Sequence, residues 1–107
     1  MDFLEVSTGF PSQQDAAYVA RSVIHTRLAV AARVEGPVLS MGWRDGTLVE
    51  AEEWRLLLTV QAERFDQLAA YIIRRHPRPD PQVVAVPLRR HVGVEAAEPA
   101  PSGGVPL

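Results

Sequence analysis

One stretch of this sequence decides the fold: His76-Pro77-Arg78-Pro79-Asp80-Pro81-Gln82-Val83-Val84-Ala85-Val86-Pro87-Leu88. Prolines at alternate positions after His76 end any helix, because each lacks an amide proton and pushes the residue before it towards extended geometry. The apolar run from Val83 to Val86, which Pro87 stops, is typical of a short buried strand. The stretch therefore predicts a rigid connection from a helix to a final strand.

Outward from that stretch, hydrophobic periods and turn residues divide the chain into strands and helices. The predicted elements begin with a strand over 3–7 and a helix from the cap Ser12, which gives way within 28–34 to a second strand. A bend at Gly36-Pro37 and a hairpin turn over 44–47 then lead to a third strand over 47–60. A helix over 61–75 and the final strand complete the order. Two such split units make an antiparallel sheet with both helices on one face. The sequence thus predicts an α+β, ferredoxin-like βαββαβ sandwich.

The length of 107 residues supports one domain, expected over residues 1–91, with a flexible tail rich in Pro, Gly and Ala over 92–107. In a single copy, apolar strand residues would be exposed on the uncovered sheet face, so we expect a homo-oligomer. The strand residues in question are Val38, Leu56, Leu58 and Val84.

Composition argues against several classes of partner and chemistry. The formal charge of -2 gives no basic field for nucleic acid, although all 11 cationic residues are arginine. There is no cysteine, hence no disulfide and no thiolate ligand. Acidic residues near Met1 and the absence of a long apolar stretch predict a cytoplasmic protein with no membrane segment.

Three groups of residues resemble a known family in their order and spacing. Pro11 opens a helix that reaches Arg27-Leu28-Ala29, Glu52-Glu53 leads into Leu56-Leu57-Leu58, and His76-Pro77 precedes Pro81 and Ala85-Val86-Pro87. Over roughly residues 3–88 the chain resembles the CutA divalent-cation-tolerance proteins. The resemblance implies a ferredoxin-like subunit in a tight homotrimer, with long second and third strands pairing between neighbours. It also implies a role in metal tolerance, with copper binding and no settled enzymatic activity.

The chain departs from the family pattern at polar positions. Ala31 stands where the family has a cysteine, so the soft copper ligand is missing, and Arg33 stands where it has an asparagine. Gly42-Trp43-Arg44 replaces Tyr-Arg-Trp, and Arg78-Pro79 replaces Tyr-Glu. The scaffold is kept while the side chains around the expected intersubunit cleft differ.

The metal candidates lack a recognisable ligand pattern. His25, His76 and His91 share no ligand spacing, so no cofactor is expected, with His76 and Glu50 as weak candidates for a divalent ion. His76, at a helix end, is also explained by a structural role. The run of Glu50, Glu52 and Glu53 has the oxygen ligands of a hard cation, but is also typical of a solvated strand edge or of pairing with arginine from a neighbouring subunit.

Two hypotheses follow. The first is a CutA-like trimer associated with divalent metal tolerance, acting as a binding or regulatory module with impaired copper ligation. The alternative is a repurposed scaffold whose intersubunit cleft binds or transforms a small anionic metabolite, because arginine forms bidentate hydrogen bonds to carboxylates and phosphates. Its candidate ligand-binding residues are Arg33, Trp43, Arg44, Trp54 and Arg78, and its candidate catalytic residues are His76, Glu50 and Arg33. The sequence does not decide whether the protein is an enzyme.

Overall fold

The computed structural model describes residues 2–89, which form four strands and two helices in the predicted order. The elements are β1 (Phe3–Phe10), α1 (Gln13–His25), β2 (Ala31–Arg44), β3 (Thr47–Gln61), α2 (Phe65–Arg75) and β4 (Val84–Leu88), with a 3₁₀ turn, Ala62–Arg64, before α2. The strands form one antiparallel sheet in the order β2-β3-β1-β4. This confirms the ferredoxin-like α+β fold. The predicted tail over 92–107 and His91 lie outside the described residues.

The core lies between the two helices and one face of the sheet. Both helices bury an apolar stripe against the same strands, because their apolar residues recur at helical spacing. The buried residues are Ala16, Val19, Ala20 and Val23 of α1, Leu68 and Ile72 of α2, and Val6, Phe10, Leu56, Leu58 and Val60 of the sheet. Leu56 and Leu58 were expected on the uncovered face; that expectation was wrong, because alternation along β3 turns both towards the helices.

The helix boundaries have local causes that the sequence partly predicts. Ser12 caps α1 as expected, since its hydroxyl accepts a hydrogen bond from the amide of Asp15 at 3.1 Å. After His25 the backbone turns through Arg27, which has a φ of 62°. Leu28 and Ala29 are therefore buried in the connection, and β2 begins only at Ala31.

The first strand is longer than predicted, and the last strand is shifted. β1 continues to Phe10, because it pairs with β3 along its whole length. β4 passes through Pro87 and ends at Leu88. Pro87 is tolerated there because β4 is an edge strand and needs hydrogen bonds on one side only.

The β2–β3 hairpin extends well beyond the core. We call residues 38–52 the arm; they are half-buried or exposed in the single chain, which measures 48 × 27 × 22 Å. The predicted bend occurs at Gly36-Pro37, a cis peptide, where the register between β2 and β3 shifts between Glu35 and Val38. Asp45 and Gly46 form the predicted turn with φ values of 50° and 77°. The arm therefore starts at a bulge and ends in a tight turn.

Candidate functional site

A cleft of about 490 Å³ lies on the sheet face opposite the helices, between the arm and the chain that leads into β4. Its size falls within the usual range for small-molecule sites. Its lining residues are Gly9, Ser40, Met41, Gly42, Trp43, Arg44, Val49, Ala51, Glu53, Arg55, Arg78, Asp80, Pro81, Gln82 and Val84. The proline-rich stretch that ends the helical region thus forms one wall of the cleft.

The bulge at Gly36-Pro37 determines which β2 side chains face the cleft. An extra residue in one strand changes the alternation of all the residues that follow it. Beyond the bulge, Ser40 pairs with Ala51 and Gly42 with Val49, on the same sheet face as Glu53. The floor of the cleft is therefore made of small side chains.

Glu53 lies at the base of the cleft and is buried, with 8% of its surface exposed. Its carboxylate accepts a hydrogen bond from Nη1 of Arg55 at 2.8 Å, and Nη1 of Arg78 lies 3.8 Å from the other oxygen. Gly9 on β1 leaves room for this carboxylate, since a Cβ there would lie 2.6 Å from its atoms. One carboxylate thus gathers two guanidinium groups at the base of the cleft.

His76 holds the end of α2 against β1. Its ring stacks on Phe10 with centroids 4.3 Å apart, and its Nε2 lies 2.7 Å from the carbonyl oxygen of Gly9. Its Nδ1 accepts a hydrogen bond from the backbone amide of Arg78 at 3.1 Å. Because Nδ1 accepts, Nε2 carries the proton and donates to Gly9. Both ring nitrogens are occupied, which favours a structural role for His76 over metal ligation.

The structure brings together part of the predicted binding set. Trp43, Arg44 and Arg78 line the cleft, although alternation along β2 places the side chain of Trp43 on the opposite face from Arg44. Arg33 does not line it: its Nε donates to Glu35 at 2.8 Å and its Nη2 lies 3.8 Å from Glu5. The hydrogen bond to Glu35 raises the pKa of Arg33 and keeps the guanidinium charged.

Trp54 and Glu50 also lie away from the cleft. Trp54 packs against the core on the helix side of the sheet, beneath Gly36. Glu50 pairs with Met41 on the arm and is exposed. The candidate catalytic residues Arg33, Glu50 and His76 therefore occupy three separate places in the single chain.

The acidic run does not form a metal site in one copy. Alternation places Glu50 and Glu52 on the face opposite Glu53, so the three carboxylates do not converge. Within residues 2–89 no group of three His, Asp or Glu side chains is placed to hold a metal ion.

Gly9, Glu53 and Arg55 form the base of the cleft, and the binding prediction included none of them. Consecutive acids and an isolated glycine carry no signal of their own. Their common position in the cleft follows from the pairing of Gly9 on β1 with Arg55 on β3. A sequence signal does exist in the alternation of Glu53 and Arg55, which puts opposite charges on one strand face.

Together, the fold and the cleft define a small ferredoxin-like α+β protein with a long hairpin arm and an arginine-lined cleft at its base. Residues 4–93 match the family model described as CutA1 divalent ion tolerance protein. The chain therefore belongs to the CutA1 family.

Known relatives agree with this assignment. The Thermus thermophilus divalent-cation tolerance protein CutA is 28% identical over 78 residues, 73% of this chain and 76% of that protein. The crystal structure of CutA1 from Oryza sativa superposes with a TM-score of 0.85 at 18% identity, covering 92% of this chain and 95% of that one. The CutA structure from Archaeoglobus fulgidus, titled a periplasmic divalent cation tolerance protein, gives 0.82 at 19% identity, covering 89% and 97%. At such identities the two structures show the shared fold.

Among the described residues, no helix is both long and apolar enough to cross a membrane.

Proposed function

We propose that this CutA-family protein acts in divalent-cation tolerance as a homotrimeric binding or regulatory module. The observation that carries the trimer is the arm, whose large apolar side chains are exposed in one copy. They are Val38, Leu39, Met41, Trp43, Leu48 and Val49. Alternation places Leu39, Met41, Trp43 and Leu48 on one face of the arm and Val38 and Val49 on the other. Exposed apolar side chains of this size need a partner, and the family resemblance implies two further copies of the same chain.

Copper binding is proposed to be weak in this member. Soft thiolate ligands favour copper, and the family's cysteine position is occupied by Ala31. Ala31 is exposed at the start of β2, so a thiol placed there would be accessible. Because the soft ligand is missing at this position, we expect the protein to keep the fold of the family but to bind copper weakly.

The test is calorimetric titration of Cu(I), kept reduced under anaerobic conditions, into the parent protein and into Ala31→Cys. We expect no stoichiometric high-affinity site in the parent and a gain of at least about tenfold in affinity with the restored cysteine. Ala70→Cys, an exposed thiol on α2 outside the arm and the cleft, is the matched control. Tight stoichiometric binding by the parent, or equal gains from the two cysteines, would contradict the proposal.

The alternative, an enzyme that transforms a small anionic metabolite, has less support in the single chain, because Arg33, Glu50 and His76 are not brought together. The arginines of the cleft favour the part of this alternative that concerns binding, without catalysis, of a small anion. A cytoplasmic location likewise stays a prediction, and one relative carries the word periplasmic in its title.

A further inference from the structure

The cleft carries more positive than negative charge. Its lining includes the guanidinium groups of Arg44, Arg55 and Arg78 and the carboxylates of Glu53 and Asp80, a net charge of one positive. Within residues 2–89, Arg44 and Asp80 make no ion pair, whereas Glu53 pairs with both other arginines. One additional negative charge would therefore neutralise the net charge of the residues that line the cleft.

The two arginines at the base keep hydrogen-bond donors for a ligand. Arg55 gives Nη1 to Glu53, while Arg78 approaches the same carboxylate at 3.8 Å, which is beyond hydrogen-bond length. Each guanidinium has five N–H donors, so most of them stay uncommitted among the described residues. Both side chains are also partly exposed, at 33% and 39%. Glu53 therefore orients the arginines without using up their binding capacity.

Arg78 is held in place by its backbone. Its amide donates to Nδ1 of His76, and Pro77 and Pro79 flank it. Proline fixes φ, so the segment loses little conformational freedom when a ligand binds. His76 acts here as a positioning residue for the cleft wall.

Beside its polar lining, which includes Ser40 and Gln82, the cleft offers a few apolar contacts. Gly42 and Ala51 leave space beside the charged base, and Val49 and Val84 contribute apolar surface. Ligand sites commonly combine an apolar lining with a few polar groups that fix orientation. A purely inorganic anion would leave this part of the cleft without a contact.

We infer that the cleft binds a small monocarboxylic acid with an apolar body. Arg78 and Arg55 hold its carboxylate through charge-assisted hydrogen bonds, and its apolar part lies over Ala51 and Val84. One negative charge balances the lining, whereas a phosphate dianion would place excess charge beside Glu53 and Asp80. The inference deepens the binding role proposed above and rests on it, but it does not depend on the metal chemistry.

Calorimetric titration with benzoate, benzamide and inorganic phosphate tests this inference. We expect saturable binding of benzoate, no binding of the neutral benzamide, and weaker binding of phosphate. Arg78→Gln should weaken benzoate binding by at least about tenfold, because it removes a charged hydrogen-bond donor. Arg55→Gln is a second variant with the same expected direction. Arg74→Gln, an exposed arginine of α2 outside the cleft, is the matched control and should bind as the parent does.

Three results would overturn the inference: no saturation up to about 10 mM benzoate, tighter binding of phosphate, or equal effects of Arg78→Gln and Arg74→Gln. Thermal melting of each variant establishes that it is folded. Light scattering on the same samples separates the two proposals. A trimer that fails to bind benzoate would refute this site alone, and a monomer would refute the assembly alone.

Discussion

Thr8 is a buried polar side chain without a partner for its hydroxyl. It lies on the core face of β1 between Val6 and Phe10, is 1% exposed, and pairs across the sheet with Leu56. Its Oγ1 makes no hydrogen bond within residues 2–89. Removing a hydroxyl from water without replacing its hydrogen bond lowers the free energy of unfolding.

Thr8→Val should therefore raise the free energy of unfolding by about 1 kcal/mol, because it keeps the shape and removes the unsatisfied oxygen. Thr8→Ser is the control: it keeps the hydroxyl, loses a methyl group, and should lower stability by about 1 kcal/mol. Urea denaturation at one fixed protein concentration measures both changes. A destabilised Thr8→Val would mean that the hydroxyl has a function in the assembled protein.

Glu53 and Gly9 illustrate what could not be predicted residue by residue. The acidic run was read as one surface, yet alternation divides it between two faces and only Glu53 is buried. Which face is buried depends on register, and register is a property of the paired strands rather than of one segment. Arg78, by contrast, was predicted near the expected cleft because Arg78-Pro79 replaces the Tyr-Glu of the family pattern.

The bulge of β2 is the element that shapes the arm. Gly36 has a φ of 156°, and a Cβ there would lie 2.8 Å from Cε3 of Trp54. The indole is a rigid ring packed against the core, so it cannot move aside as a flexible chain end would. The close approach of backbone and ring explains why glycine occupies this position.

Gly36→Ala should lower the free energy of unfolding by about 2 kcal/mol through overpacking. Gly42→Ala offers a matched control on the same strand, since a Cβ there meets nothing within 4 Å. Its effect should stay within about 0.5 kcal/mol. Thermal unfolding of the two variants side by side checks this, and equal losses would show that Trp54 yields to the new methyl group.

Elements were predictable where a strong local signal existed. The Ser12 cap, the Asp45-Gly46 turn and the bend at Gly36-Pro37 all occur where the sequence placed them. Ends set by pairing partners were missed: β1 runs on to Phe10 because β3 is long enough to pair with it. Capping and turn residues determine where a helix or a turn begins, whereas pairing with a neighbouring strand determines how long a strand is.

At the scale of the whole molecule, the fold followed from the order of elements, whereas the partner surface was predicted only in part, since Val38 and Val84 are exposed as expected. The expected exposed residues included Leu56 and Leu58, which form the core. Most of the exposed large apolar side chains lie on the arm instead, where neither helix within residues 2–89 covers the sheet. Alternation along β2 gathers Leu39, Met41 and Trp43 on one face of the arm.

Met41→Asp should therefore dissociate the proposed trimer. Met41 is 61% exposed in one copy, so in a monomer the new charge stays hydrated and costs only the repulsion from Glu50 on the opposite strand. Burying it without a partner in an interface should cost more than about 2 kcal/mol. Tyr18→Asp, at a residue of α1 that is 62% exposed, changes a similarly exposed side chain away from the arm and should leave the assembly intact. Light scattering over a dilution series measures the oligomeric state, and circular dichroism establishes that each variant is folded. A Met41→Asp protein that remains trimeric at the concentrations where the parent does would show that this face of the arm is not the interface.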